Sequence, residues 1–188
     1  YASVSHVGLV VLGISSFSLQ GVQGALFQLL NFTMIAGGLF LMTGFLHQRT
    51  GSSDLAHLGG VGRSMPLLTA FSFILAVASL GIPGTSGFPA EFLILMSAFQ
   101  THTGAGLAAL FAMVLAAAYV LDSFRRTFFG PAGNEAVATA VDLRGREMAM
   151  AVVFTALILV AGLYPAFVLD TTQAASLLWL DGLNLSRP

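Results

Sequence analysis

The sequence contains no cysteine and no lysine, and charged residues make up only 8% of its 188 positions. The absence of cysteine excludes disulfides, thiolate-held zinc and iron–sulfur clusters within this stretch. A soluble domain usually carries about a quarter charged residues, because its surface faces water. With 56% hydrophobic residues, the chain has enough charge for its loops only. This composition predicts a protein embedded in lipid.

The patterns of soluble enzymes and of nucleic-acid-binding proteins are also missing. The net charge is −1, and no cluster of basic residues forms a patch for nucleic acid. There is no metal-ligand spacing of histidines and carboxylates, no nucleophile–base pair and no phosphate loop. The glycine-rich run at 59–62 lacks the flanking strand and helix of a dinucleotide site. We therefore predict that this chain binds no cofactor, no metal and no nucleic acid.

The distribution of apolar residues predicts an all-α, polytopic transmembrane helical bundle. A helix needs about 20 apolar residues to cross a bilayer core. The chain starts at Tyr1, without Met, inside an apolar segment, so we expect the C-terminal part of a longer protein. Predicted spans are 1–14, 22–46, 66–100, 106–124 and 148–168, all within one domain over 1–188. Residues 171–180 are mildly amphipathic, which predicts an interfacial helix.

The third predicted span is interrupted at 81–89 by glycines and prolines. Pro83 has no N–H group, Gly84 and Gly87 relax the backbone, and Pro89 suits the first turn of a resumed helix. The piece after the break is too short to cross a bilayer alone. The segment therefore makes either two crossings or one crossing by a discontinuous helix.

The arginines discriminate between these two arrangements. With one crossing, the loops 48–63 and 125–146, which hold six of the seven arginines, fall on the same side. With two crossings they fall on opposite sides. Arginine-rich loops stay in the cytoplasm. We therefore predict one discontinuous helix, with both loops cytoplasmic and the C-terminus outside.

Glu91 is the one carboxylate in the interrupted segment, and we place it in the first turn of the resumed helix. A helix N-terminus favours the anion, whereas burial favours the neutral acid. A carboxyl group held between these effects can bind and release a proton, as intramembrane acids do in transport chains. The alternative is a glutamate that only caps its helix or pairs with a distant arginine.

Other polar residues in the predicted spans are candidates for the same path. His6 could relay protons, or it could be a neutral hydrogen-bonding partner between helices. Gln28 and Asn31 share a helix face and could support water, although interhelical hydrogen bonding is the commoner role of such amides. Asp122 and Arg126 are spaced for a local ion pair.

Two motifs resemble those of the antiporter-like subunits of respiratory complex I. Residues 1–8, YASVSHVG, resemble the signature "YSSxSHxG", and residues 80–92, LGIPGTSGFPAEF, resemble the broken-helix motif "GxPGTxxFxxEF". The similarity continues through 126–130 and 162–170. In this family, M-type subunits have glutamate at the position of Glu91, whereas L- and N-type subunits typically have lysine.

The resemblance implies a proton-translocating membrane subunit of an NADH:quinone oxidoreductase in a bacterial energy-coupling membrane. NADH, FMN, iron–sulfur clusters and quinone would belong to other subunits. The implied partners are other antiporter-like and membrane-arm subunits and the lipid bilayer. Glu91 would be the terminal residue of the outward half-channel, and His6 would lie on the central hydrophilic axis. The chain departs from the family at Phe32, which replaces a histidine, so that link would depend on water near Asn31.

Other functions remain open on the sequence alone. A subunit of a multi-subunit cation/proton antiporter would exchange protons at Glu91 against sodium ions without electron transfer. The membrane subunit of a hydrogenase-type complex is a related alternative. A structural scaffold, in contrast, would not need the carboxyl group.

Overall fold

The computed structural model describes residues 2–55 and 58–185, and these residues form nine helices. The helices are α1 (Ala2–Ser15), α2 (Leu19–Thr50), α3 (Val61–Ser64), α4 (Pro66–Ala78), α5 (Gly87–Thr101), α6 (Thr103–Phe128), α7 (Glu135–Ala138), α8 (Gly145–Leu163) and α9 (Ala166–Leu185). Among the described helices, α2, α6 and α8 are long and apolar enough to cross a bilayer. The prediction of an all-α fold is confirmed.

Large apolar side chains cover much of the outside of this fold. Val4 is 70% exposed, Phe111 65% and Val160 65%, on three different helices. Such side chains on the surface of a soluble protein would form patches that cause association. In a membrane protein such side chains can face lipid or neighbouring helices. The exposed surface therefore agrees with the membrane location that the composition predicts.

α2 is the central helix, and α1, α4, α5, α8 and α9 all pack against it. Its 32 residues extend about 48 Å at 1.5 Å per residue. Ser18 caps its first turn by accepting a hydrogen bond from the Gly21 N–H group at 3.0 Å. Gly51 ends it in the left-handed conformation, with φ 72°. α2 is longer than the predicted span because both caps lie outside the apolar stretch.

α4 and α5 follow one another along α2 in the opposite direction. In α5, Ile94 packs against Gly24 of α2, and in α4, Leu75 packs against Gly38. Between these contacts, Ser86 of the break hydrogen-bonds Asn31. The three contacts therefore occur in reverse order along the two segments. Residues 66–101 form one interrupted helix antiparallel to α2 rather than a helical hairpin, which confirms the predicted discontinuous helix.

The break comprises residues 79–86, and its geometry depends on its glycines and proline. Ile82 accepts a hydrogen bond from the Thr85 N–H group at 3.1 Å, which closes a turn with Pro83 and Gly84 at its centre. Gly84 has φ 94°, as the third position of a type II turn requires. A Cβ atom on Gly87 would lie 2.6 Å from the Ala78 carbonyl oxygen. Glycine at 87 therefore lets the two helix ends approach each other.

The resumed helix begins earlier than the sequence predicts. α5 starts at Gly87, so Pro89 is its third residue and Glu91 its fifth. Glu91 thus lies beyond the first turn, and the prediction that it sits in that turn is wrong. The helix can start before Pro89 because proline is tolerated anywhere in a first turn, where N–H groups have no partner within the helix.

The two arginine-rich loops meet at one end of the bundle. The Gly60 N–H group donates to the Phe129 carbonyl at 3.1 Å. Arg49 forms an ion pair with Glu147 and donates from Nε to the Val141 carbonyl at 2.6 Å. These contacts place both loops on the same side of the fold, as a single crossing requires.

The last predicted span is divided at Pro165. α8 ends at Leu163 and α9 begins at Ala166. Proline has no N–H group to continue the helix, so the predicted continuous segment 148–168 does not form. α9 packs against the start of α2, where Gln23 Nε2 donates to the Leu169 carbonyl at 3.1 Å. α9 is longer than the segment 171–180, and its location at a membrane surface stays a prediction.

Candidate functional site

Glu91 is a buried carboxyl group beside the break, with 4% of its surface exposed. A Cβ atom on Gly81 would collide with the Glu91 carboxyl, so only glycine leaves room for the acid there. Gly81 also has φ 63°, a conformation that other residues rarely adopt. In the described part of the chain, ion pairs join Arg49 to Glu147 and Asp122 to arginines of its own helix, and Glu91 takes part in neither set.

Gln28 of α2 connects Glu91 to His6. Its Nε2 atom lies 2.9 Å from His6 Nδ1, and its side-chain amide interacts with the Glu91 carboxyl. An amide nitrogen can only donate, so Nδ1 of His6 accepts and the imidazole proton lies on Nε2. Gln28 is 0% exposed. One buried amide thus joins a histidine on α1 to a carboxyl group on α5.

Two further hydrogen bonds extend from Gln28 to the break. Asn31 Nδ2 donates to Gln28 Oε1 at 3.3 Å, and Ser86 Oγ donates to Asn31 Oδ1 at 2.6 Å. Both Asn31 and Ser86 are fully buried. We call His6, Gln28, Asn31, Ser86 and Glu91 the polar cluster.

Phe32 lies next to His6, with ring centroids 5.4 Å apart and planes inclined by 38°. A phenyl ring cannot bind a proton, so this contact is apolar. The polar connection from His6 therefore runs through Gln28, one turn earlier on α2.

A cavity of about 430 Å³ lies beside both Glu91 and His6. Ser5 and Ser79 add hydroxyl groups to its lining. The side chains that α6 contributes are mostly small: Ala105, Ala108, Ala109, Ala112, Met113 and Ala116. A water molecule in the liquid occupies about 30 Å³. By volume, this partly open and mainly apolar pocket has room for several water molecules, and both the histidine and the acid line it.

The structure thus brings together His6, Gln28, Asn31 and Glu91, which the sequence singled out separately. Pro83, Gly84, Gly87 and Pro89 shape the break. The sequence reading missed Ser86, whose only signal is a hydroxyl group in the break. The predicted pair of Asp122 and Arg126 is confirmed at 2.6 Å, on the exposed side of α6.

Comparison with known proteins places this arrangement in a family. The model for "NADH:quinone oxidoreductase/Mrp antiporter, TM" matches residues 1–116, which include the whole polar cluster. The chain belongs to the NADH:quinone oxidoreductase/Mrp antiporter family. The resemblance seen in the two sequence motifs is therefore confirmed.

Relatives within this family are similar along nearly the whole chain. NADH-quinone oxidoreductase subunit M of Rhodobacter capsulatus is 39% identical over 170 residues, which cover 90% of this chain and 33% of the relative. A structure of respiratory complex I from Thermus thermophilus matches with TM-score 0.86 and 33% identity, over 94% of this chain and 38% of that one. The Mrp complex from a Dietzia species matches with TM-score 0.81 and 22% identity, over 93% and 41%, which shows the fold alone. The chain spans about a third of the length of the curated relatives it matches.

Proposed function

We propose that this protein is part of a proton-translocating membrane subunit of an NADH:quinone oxidoreductase, in which Glu91 takes up and releases protons. The observation that carries this proposal is the buried Glu91, linked through Gln28 to His6. Ionisable groups in a membrane interior are costly, and they mark ion pathways. The similarity to relatives named subunit M supports the same assignment.

The proton moves between His6 and Glu91 through the cavity that both residues line. Gln28 holds the two groups in place but carries no proton, because an amide does not ionise in the physiological range. In this proposal His6 and Glu91 bind and release the proton, and water molecules in the cavity carry it from one to the other.

Other subunits supply the energy in this proposal. They hold NADH, FMN, the iron–sulfur clusters and the quinone, while this chain contacts neighbouring antiporter-like and membrane-arm subunits and lipid. The end of the bundle that carries the two arginine-rich loops faces the cytoplasm, since such loops are retained there. The C-terminus then lies outside.

Replacement of Glu91 by glutamine in the full-length protein tests the proposal. Glutamine keeps the shape and one hydrogen-bond acceptor but cannot ionise, so we expect an assembled complex that oxidises NADH with sharply reduced proton translocation. The readout is proton uptake in membrane vesicles, normalised to electron transfer. Glu135→Gln, at an exposed position on α7, is the matched control and should translocate normally. Normal translocation by an assembled Glu91→Gln complex would refute the proposal.

A cation/proton antiporter subunit is the second candidate, because the fold is shared with the Mrp complex. It would exchange sodium ions for protons in vesicles that contain no electron donor. Sodium-dependent proton exchange that is lost in Glu91→Gln would favour this alternative. Genes for redox subunits beside this one would favour the oxidoreductase.

A further inference from the structure

Three hydrogen bonds of the polar cluster all run in the same direction. Ser86 donates to Asn31, Asn31 donates to Gln28, and Gln28 donates to His6, at 2.6, 3.3 and 2.9 Å. Each amide uses its oxygen on one side and its nitrogen on the other. If one amide turned over alone, two donors or two acceptors would face each other. Because Gln28, Asn31 and Ser86 are 0% exposed, bulk water cannot replace a lost partner.

We propose that Ser86 and Asn31 are positioning residues for proton transfer. They hold the Gln28 amide with its hydrogens toward His6 and Glu91, so that His6 takes a second proton only when the chain of hydrogen bonds reverses. The inference rests on the proposed function, because it assigns a role within that proton path.

The reversal follows from the atom at which His6 must be protonated. With the Gln28 nitrogen facing it, Nδ1 of a neutral His6 accepts, and the imidazole proton belongs on Nε2. A proton that adds to Nδ1 makes this atom a donor, and it then faces the amide hydrogens. Gln28 relieves the conflict by turning its oxygen toward His6. Asn31 must then turn as well, and Ser86 becomes an acceptor.

The same movement changes what Gln28 offers to Glu91. Before reversal, its amide hydrogens suit a lone pair on His6 and an ionised carboxylate. After reversal, its oxygen suits an N–H group on His6 and a protonated carboxyl. The orientation of the Gln28 amide therefore responds to the protonation of either group.

The ionisable groups around α1 come from three helices. Those on the helices packed against α1 are His47 and Arg49 on α2, Glu91 on α5, and Tyr119, Asp122, Arg125 and Arg126 on α6. Of these, Glu91 and Tyr119 line cavities together with His6. Asp122 is paired with its neighbours at the exposed end of α6.

Two substitutions perturb the direction of the chain without removing His6 or Glu91. In Asn31→Asp the carboxylate accepts hydrogen bonds only, so it attracts the Gln28 nitrogen and turns the Gln28 oxygen toward His6. Ser86→Ala removes the first donor, whereas Ser86→Thr keeps the hydroxyl group. Ser97→Ala is the matched control, since Ser97 is also fully buried but donates to a carbonyl of its own helix at 2.8 Å.

The test uses the full-length protein in its assembled complex, with nitrogen-15 in histidine. His6 signals are assigned by comparison with His6→Gln. We expect the proton on Nε2 in the parent, Ser86→Thr and Ser97→Ala proteins, and a protonated Nδ1 in Asn31→Asp. When translocation is measured against pH, its alkaline limb in Asn31→Asp should lie about one pH unit higher than in the parent, which is a tenfold change in proton affinity. In Ser86→Ala the limb should shift in the same direction by a smaller amount.

A parent protein with its neutral His6 protonated on Nδ1 would overturn the inference, and so would an unshifted profile in an assembled Asn31→Asp complex. If Asn31→Asp does not assemble, the test compares Ser86→Ala with Ser86→Thr. Identical pH profiles of translocation for these two proteins would overturn the inference. Failure of the proposed function is seen separately, as normal translocation in Glu91→Gln.

Discussion

The start of α4 depends on a carboxylate that is distant in sequence, which leads to a stability prediction. Met65 precedes α4 without a side-chain cap. Asp142 supplies the cap instead, accepting from the Leu67 N–H group at 2.7 Å and from the Leu68 N–H group at 3.0 Å. A capping hydrogen bond contributes about 1 kcal/mol. Asp142→Ala should therefore destabilise the first turn of α4 by about 2 kcal/mol, since both bonds are lost.

Replacing Asp142 by asparagine removes one of the two capping hydrogen bonds and keeps the other. The carboxylate uses Oδ2 for Leu67 and Oδ1 for Leu68, and an amide has one oxygen. Asp142→Asn should therefore cost about half as much, roughly 1 kcal/mol.

Hydrogen exchange in the full-length protein measures this effect at the amides of Leu67 and Leu68. A loss of about 2 kcal/mol corresponds to exchange that is about 30 times faster, because each 1.4 kcal/mol is a factor of ten. Asp181→Ala, at an exposed site on α9, is the control and should leave exchange in α4 unchanged. Equal exchange in Asp142→Ala and the parent protein would show that the cap does not hold this turn.

Two further substitutions test Gly81 in the break and Asp122 near the end of α6. Gly81→Ala places a Cβ atom against the Glu91 carboxyl and strains a backbone with φ 63°, so we expect a lower melting temperature and reduced proton translocation. Gly44→Ala is its control, because a Cβ atom there meets nothing within 4 Å, and it should leave both measurements unchanged. Asp122→Asn weakens the ion pairs with Arg125 and Arg126 on the exposed side of α6. Exposed ion pairs contribute little to stability, so it should change neither the melting temperature nor translocation at physiological salt. A clear loss of either would give Asp122 a role beyond its ion pairs.

The composition and the order of residues were enough to predict helices in a membrane. The length of an apolar segment and the loop in which an arginine lies can both be read along the chain, without knowledge of how the helices pack. The break was predictable for the same reason, since Pro83 and Gly84 act on their own backbone. The predicted helix ends were less accurate where contacts with neighbouring helices and capping residues determine where a helix begins or ends. α5 starts at Gly87, where the backbone of Ala78 leaves no room for a Cβ atom, and α8 stops before Pro165.

Glu91, His6, Gln28 and Asn31 could each be recognised from the sequence, because polar residues in apolar segments are conspicuous. Their connections could not be derived from it. His6 and Gln28 are 22 residues apart, and Asn31 and Ser86 are 55 residues apart. Which atoms donate and which accept depends on the packing of α1, α2 and the break around one another. The sequence by itself determined that an acid lies in a membrane segment; only the tertiary structure decided that one buried amide holds it next to a histidine.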